Sequence, residues 1–419
     1  MSIFSRVAFA ALWLFVLTLA GEKALMLGAF GSIAKLTGFV AIGLGALAIL
    51  IEQRIRIPSP FHCAFAVFIL WGGFTIYWTV ARDTPSPIEW TYLRLTTYFQ
   101  LFAMTLLVWQ LATTEKRVHA LLNAYVLGTL APFVATVRNY VGKEKTLYYQ
   151  RYSLDNTEPN DLALILAISL PISYYLFLRA KGPLRILYLA LILCALGTVL
   201  LTASRSGSIA TVLALSIIFW TRKELAPRWR VGLIVAFSIL AAGAVTMVPV
   251  TTWTRLATIG SEVSSGTLNS RTVIWEEGWK ALSKSPFLGV GIGAYPDAMV
   301  PFFGRPRTGI FTPVAHNTFY SVLVETGLIG FIVFAIMFGI ILYYAFTVPG
   351  LMKPFWLTTI AVWSLGVMSL SWDDRKPTWL MFSLLAAHSA ALRGRSRTAA
   401  DDVPTWTGST SIQWEEVTS

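Results

Sequence analysis

Long apolar runs alternate with short polar connections along the whole chain. The runs cover residues 7–20, 25–51, 61–80, 95–112, 118–137, 162–178, 186–201, 209–220, 231–250, 317–346, 355–370 and 378–392. A helix of ~17–25 mostly apolar residues crosses a bilayer. The pattern therefore predicts an all-α polytopic membrane protein with about 12 transmembrane helices. Arg6 ahead of the first run gives it the look of a signal peptide. Residues 21–23 lead straight into the next run, however, so an uncleaved first helix is expected.

The polar connections add an orientation. Basic residues recur in alternate short connections: Arg54 and Arg56, then Lys116 and Arg117, then Arg179, Lys181 and Arg185. Arg222, Lys223, Arg228 and Arg230 continue the series, followed by Lys353 and by Arg393, Arg395 and Arg397. Lysine and arginine concentrate in cytoplasmic loops, so these connections and both termini are expected in the cytoplasm. Parity then puts residues 138–161, Arg205, His316, Asp373 and Asp374 on the outer face. Four blocks result. Residues 1–250 hold the first nine spans, 251–315 form one large outer loop, 316–393 hold the last three spans, and 394–419 form a cytoplasmic tail expected to be disordered.

The large loop is built to pack, with Trp253, Trp275, Trp279, Phe287, Tyr295, Phe302 and Phe303. Within it, residues 271–284 read as an amphipathic helix. Ile274, Trp275, Gly278 and Leu282 share one face, with Glu276, Glu277 and Lys280 beyond it. The glycine-rich run 286–293 has two readings, a packed turn or a phosphate loop. The second is the weaker, because no strand precedes it and no Gly-Lys-Ser/Thr follows.

Composition fixes the class. Of 419 residues, 56% are hydrophobic and only 13% charged, with mean hydropathy +0.65; soluble domains carry roughly 25% charged residues. The net charge of +12 is spread over the loops. Such a distribution fits topology signals and phosphate contacts and argues against nucleic acid as a partner. Cys63 and Cys194 lie in apolar runs and read as buried thiols. His62, His119, His316 and His388 are scattered, so no metal site is expected.

Candidate chemistry gathers at the outer ends of the spans. His316 and Asn317 stand where an apolar run begins, and His316, Tyr320, Leu323, Gly327 and Gly330 form a stripe at helical spacing. Two glycines on one face would let a neighbouring helix approach closely in lipid. Asn317 suits a helix N-cap. A helix start favours a bound anion and disfavours imidazolium, so His316 would be a neutral general base. The alternative is a histidine anchored among headgroups. Arg151 precedes a helix start holding Asn160. Arg205 sits at a hairpin tip flanked by Ser204, Ser206 and Gly207, and Arg271 opens the amphipathic helix. One such arginine reads equally as a headgroup anchor; a cluster of three suits a diphosphate. Asp373 and Asp374 are followed at once by Arg375 and Lys376. They read as a mutually neutralised, exposed turn, or else as a divalent-ion site or an aid to a base.

His316-Asn317, nine intervening residues and then Gly327-x-x-Gly330, right after a large outer loop, resembles the signature of bacterial O-antigen ligases. The Thr202-x-Ser204-Arg205-x-Gly207 tip, the Pro159-Asn160 helix start and the run from Asn269-x-Arg271 to the Gly-x-Gly segment are similar to that superfamily. The resemblance covers roughly residues 151–330. It implies a metal-independent, inverting glycosyltransferase of the GT-C type, with no cofactor, at the periplasmic face of the bacterial inner membrane. The donor would be a glycan on undecaprenyl diphosphate and the acceptor lipid A–core oligosaccharide. His316, Arg205 and Arg271 would be catalytic, and Arg151, Asn160 and Asn317 would bind substrate. Wzy-type O-antigen polymerases and protein O-oligosaccharyltransferases share the plan. A transporter or flippase for a lipid-linked substrate is the reading from another class. It expects ionisable residues at mid-span and matched repeats, and here the charges gather at outer ends.

Overall fold

The computed structural model of the protein describes residues 2–28, 31–53, 55–82, 88–146, 151–154, 157–264, 271–303 and 313–401. Among these the chain is all-helical, with no strand. A helix stands at every apolar run: α1 (Ile3–Leu19), α2 (Ile33–Glu52), α3 (Pro60–Phe74), α4 (Glu89–Leu111), and α5 (Glu115–Gly128) continued by α6 (Leu130–Val141). Then follow α7 (Pro159–Arg179), α8 (Pro183–Thr202), α9 (Arg205–Trp220) and α10 (Pro227–Met247). The former loop region holds α11 (Val250–Ala257), α12 (Ile259–Ser264), α13 (Arg271–Ser283), α14 (Tyr295–Ala298) and α15 (Val300–Phe303). The chain closes with α16 (Thr318–Thr347), α17 (Met352–Val367) and α18 (Lys376–Asp401).

Seven of these units are long and apolar enough to cross a membrane: α2, α3 with its short extension to Tyr77, α5–α6, α7, α8, α10 and α16. The apolar α1 and α9 are shorter. The molecule is a multi-pass, all-helical membrane protein. Its helix starts follow from local chemistry. Ser32, Thr114, Ser204 and Asn317 each accept a hydrogen bond from a backbone N–H three residues on. Proline occupies the first turn of α3, α7, α8 and α10, where its missing N–H costs nothing.

Helix α7 is the axis. Almost every residue from Asp161 to Phe177 is buried, and α8, α9, α17 and α5 pack around it. A helix apolar on all faces belongs inside a bundle. Gly207 shows how tightly: a Cβ there would run into the Ala163 side chain, so α9 starts in contact with α7. Two expectations fail here. Cys63 is exposed on the outer face of α3, because Phe61, Phe65 and Phe68 take the inward positions, and Cys194 is only half-buried. Helix α18 continues to Asp401, past the start expected for the tail; residues 402–419 and Arg54 lie outside the described residues.

The decisive local feature is a break in α16. Gly327 has φ 64° and ψ −174°, a conformation open in practice only to glycine. Five backbone groups around the break are taken up by neighbours. Val290 and Gly291 N–H donate to the Val324 and Glu325 carbonyls at 3.0 and 2.9 Å. Leu328 and Ile329 N–H donate to the Pro286 and Phe287 carbonyls at 2.9 and 3.3 Å. Trp71 Nε1 on α3 donates to the Thr326 carbonyl at 2.8 Å. Irregular backbone survives inside a bilayer-spanning bundle only when protein satisfies it in this way. The glycine run is therefore a packed turn, with Gly289, Gly291 and Gly293 all at positive φ.

The stripe is thus corrected. Gly330 does admit a neighbouring helix, lying against the Trp71 ring of α3, whereas Gly327 breaks its helix and admits the backbone of the 287–289 turn. A Cβ on Gly327 would overlap the Phe287 carbonyl. Gly327→Ala should therefore lower the apparent melting temperature in detergent sharply, with backbone strain alone worth ~1–3 kcal/mol. Gly339→Ala in the same helix meets nothing within 4 Å and should be neutral or slightly stabilising. Equal melting of the two variants would show that the break is dispensable.

Candidate functional site

The polar residues collect at one end of the bundle, around the first turn of α7. Asn160 is the organiser. Its Oδ1 accepts from Arg151 Nη1 at 3.2 Å and from Ser204 Oγ at 2.8 Å, and its Nδ2 donates to Glu158 Oε1 at 2.7 Å. Ser204 in turn caps α9 by accepting from Gly207 N–H at 3.1 Å. The sharp α8–α9 tip depends on Ala203, which closes α8 in a left-handed conformation (φ 49°). Arg205 follows, with Nε donating to the Arg255 carbonyl of α11 at 3.0 Å. Arg255 Nε reaches back to the Ala203 carbonyl at 3.4 Å.

His316 approaches from the other side. Its backbone is left-handed (φ 48°), a strained state tolerated by His, Asn and Asp better than by most residues and common at functional sites. Asn317 then caps α16, its Oδ1 accepting from Tyr320 N–H at 3.1 Å, as the sequence predicts. Thr318 Oγ1 ties the helix start to the turn before α18: it donates to the Leu370 carbonyl at 2.9 Å and accepts from Trp372 N–H at 2.7 Å.

Helix α13 locks the residues in front of α16. Trp275 Nε1 donates to the Ala315 carbonyl at 2.7 Å, Tyr320 Oη donates to the Trp275 carbonyl, and Tyr295 Oη donates to the Ile274 carbonyl at 3.0 Å. Gly278 lets both tyrosines in, since a Cβ would lie 2.8 Å from each hydroxyl. The expected inner face of α13 is thus the packed one, with Glu277 buried beside it. Asn269, named in the motif, lies outside the described residues.

Electrostatics bind the two halves. Burial, reinforced by the charge of Arg271, pushes the His316 imidazole down to about 4 against the opposing pull of Asp161. At neutral pH the ring is uncharged and able to accept a proton. Burial also lowers Arg271, with Glu158 opposing. Glu158 is raised by burial and by Asp161, with Asn160, Arg151 and Arg271 pulling the other way. So Arg151, Arg271, Asn160 and His316 share one polar neighbourhood, and Arg205 joins it through Ser204 and Arg255. Beside it a cavity of about 240 Å³ is lined by Lys145, Arg151, Arg255, Ala203 and Thr252. Lys145 and Arg255 were not singled out by the motifs.

Sequence reasoning also missed a buried ion-pair network. Asp373 is not in an exposed turn: it is 1% exposed. Its Oδ2 meets Arg94 Nη1 at 3.1 Å and accepts from Tyr98 Oη at 2.7 Å, and Asp374 meets Arg94 at 2.9 Å. Arg375 lies 3.6 Å from both Asp374 and Asp161, and Lys376 pairs with Glu22. Trp372 Nε1 donates to Asp161 Oδ1 at 2.8 Å. The network fixes the turn that holds Thr318 and also Asp161, whose charge acts on His316. The main neutralising charge comes from Arg94 on α4, not from the two basic residues next in sequence.

The scattered histidines are also brought together in part. Glu115, His119 and His388 place ligand-type atoms within 4.8 Å of one another at the opposite end of the bundle. Trp356 Nε1 donates to His388 Nδ1 at 3.0 Å, however, which puts the neutral ring's proton on Nε2. A ring so tautomerised does not offer Nε2 to a metal. Arg94→Ala would remove the cation paired with the buried Asp373 carboxylate, and a broken buried pair costs about 3–5 kcal/mol. Detergent unfolding should show that loss, against ~1 kcal/mol for the lost cap in Asn317→Ala. Similar small losses for both would mean the network is structurally idle.

Comparison with known proteins adds a family. Residues 189–335 match the family described as O-Antigen ligase. That stretch contains the Arg205 tip, α13, the glycine turn, His316 and the break at Gly327. A relative, the exopolysaccharide production protein ExoQ of Rhizobium meliloti (strain 1021), is 32% identical over 109 residues, 24% of this chain and 22% of the relative. The chain thus matches well under half the length of that relative. Residues 189–335, which hold the histidine-to-glycine signature, are thus the part of the chain that matches the O-antigen ligase family.

Proposed function

We propose that the protein is an O-antigen ligase, a GT-C-type glycosyltransferase that moves an O-antigen glycan from undecaprenyl diphosphate to lipid A–core oligosaccharide. The observation that supports this reading best is His316. It is uncharged at neutral pH, it has a left-handed backbone between segments held by α13 and by the turn before α18, and it lies within the field of Arg271. In the reaction the acceptor hydroxyl oxygen forms a bond to the anomeric carbon as the carbon–oxygen bond to the diphosphate breaks. The acceptor proton passes to His316 Nε2 or Nδ1, and undecaprenyl diphosphate leaves.

The other residues act on charge. Arg151, Arg205 and Arg271 would stabilise the negative charge that develops on the diphosphate. The charge of Glu158 acts on Arg271, and the phosphates of the donor would add to that stabilisation of the guanidinium. A bound diphosphate would also offset the field of Arg271 at His316 and raise the imidazole toward neutral pH, where a general base works best. Asn160 holds Arg151 and Asn317 caps the helix that follows His316, so their part in binding would be indirect. The reading places the site at the periplasmic face of the inner membrane, with about 12 spans, residues 251–315 outside and both termini cytoplasmic.

A second reading, a polymerase that lengthens the lipid-linked glycan, draws on the name of the relative, an exopolysaccharide production protein. Purified protein in proteoliposomes, given glycan on undecaprenyl diphosphate and lipid A–core, separates the two. Glycan covalently on lipid A–core supports ligation, and longer glycan still on the carrier supports polymerisation. His316→Ala should reduce transfer by ~10²–10⁴-fold while donor binding persists. Transfer at the parental rate would refute the base assignment. Donor carried across the vesicle with no new glycosidic bond would refute both readings in favour of transport.

A further inference from the structure

At the end of the bundle opposite His316, the last turn of α7, the start of α8 and the start of α10 enclose a cavity of about 580 Å³. Arg179, Lys181, Arg185 and Arg228 line it, with Trp229, Gly182 and Ile186. All three helices are long and apolar enough to span a membrane, so their shared end lies at a bilayer surface. We propose that this cavity binds the phosphate headgroup of an anionic membrane lipid.

The four cations divide into two roles. Arg185 is fixed by the protein: its Nε and Nη2 donate to the Phe177 and Leu178 carbonyls at 2.9 and 3.0 Å, and its guanidinium stands 5.0 Å from the Phe177 ring and 5.1 Å from the Trp229 ring. It closes α7 and seats α10 on it. Arg179 is paired with Glu115 at 3.2 Å. Lys181 and Arg228 are exposed and have no acidic partner among the described residues. No acidic residue lines the cavity. Like charges collected in one concavity repel, and a phosphate would relieve that repulsion with charge-assisted hydrogen bonds.

The surroundings choose the source of the phosphate. Exposed Leu184, Ile186 and Leu187 on α8 and Val231, Ile234 and Val235 on α10 continue from the cavity along the helices. Helix α10 buries only Leu233 and Ala244, so its surface is left to acyl chains. Basic pockets between spanning helices recognise anionic headgroups by this combination of charge and apolar neighbours. The site is independent of the transfer reaction and of the orientation of the chain.

The test is native mass spectrometry of the full chain in neutral detergent, titrated with phosphatidylglycerol, phosphatidylcholine or inorganic phosphate. Lys181→Ala/Arg228→Ala removes the two unpaired cations, and Lys223→Ala/Lys353→Ala removes two exposed ones outside the cavity. Both pairs are solvent-facing, so folding should persist, and thermal unfolding checks it. The first variant should hold phosphatidylglycerol about thirtyfold more weakly, about 2 kcal/mol at 1.4 kcal/mol per tenfold, and the second should match the parent. Equal weakening in both variants would overturn the site in favour of general surface charge. Equal binding of phosphatidylcholine would overturn it in favour of an apolar groove, and equal binding of inorganic phosphate would overturn the lipid as its source.

Discussion

The arrangement depends on one constraint: backbone N–H and C=O groups inside a membrane bundle must find protein partners. Helix α16 breaks at Gly327, and the turn 286–291 supplies the partners. That pairing does more than repair a helix. It fastens the segment from α13 to α15 onto the bundle at a fixed depth. Helix α13 then reaches the residues ahead of α16, and Trp275 and Tyr320 lock the approach to His316. The glycines are required here because the backbones touch where a side chain would otherwise stand.

The second element of the site is the first turn of α7. Asn160 joins Arg151 to the α8–α9 tip, and Asp161 joins the turn before α18 to the surroundings of His316. Four separate stretches of sequence therefore depend on two adjacent side chains. Buried polar networks of this kind are costly when partly satisfied and rigid when fully satisfied. Cations and anions so placed around an uncharged histidine suit the proposed proton transfer beside a phosphate.

Much of the helix plan was legible in the sequence, because lipid leaves the chain few alternatives. Runs of apolar residues marked the long helices, most of them within a few residues. The Asn317 cap and the inner face of α13 were legible for the same reason, both being local. What was illegible was long-range. Arg94 and Asp373 are 279 residues apart, so nothing local distinguished a buried pair from an exposed turn. Gly327 looked like a packing glycine because helical spacing is the same whether the helix continues or breaks. Burial misled in the opposite direction at Cys63, where an apolar run shows how greasy a helix is but not which face meets lipid. Lys145 and Arg255 carried no signal beyond charge until α11 brought them to Arg151.

The central claim is that His316 serves as a base from an environment that keeps it neutral. The pH dependence of kcat/KM for glycan transfer tests it most directly, because that ratio reports groups of the free protein. The uncharged ring is present above about 4 and is lost as pH falls through that value. The account predicts a profile that stays level from neutral pH to below the ordinary imidazole value of ~6.5, with an acid limb near the shifted value. A limb at the ordinary value, or an unchanged profile and rate in His316→Ala, would contradict it.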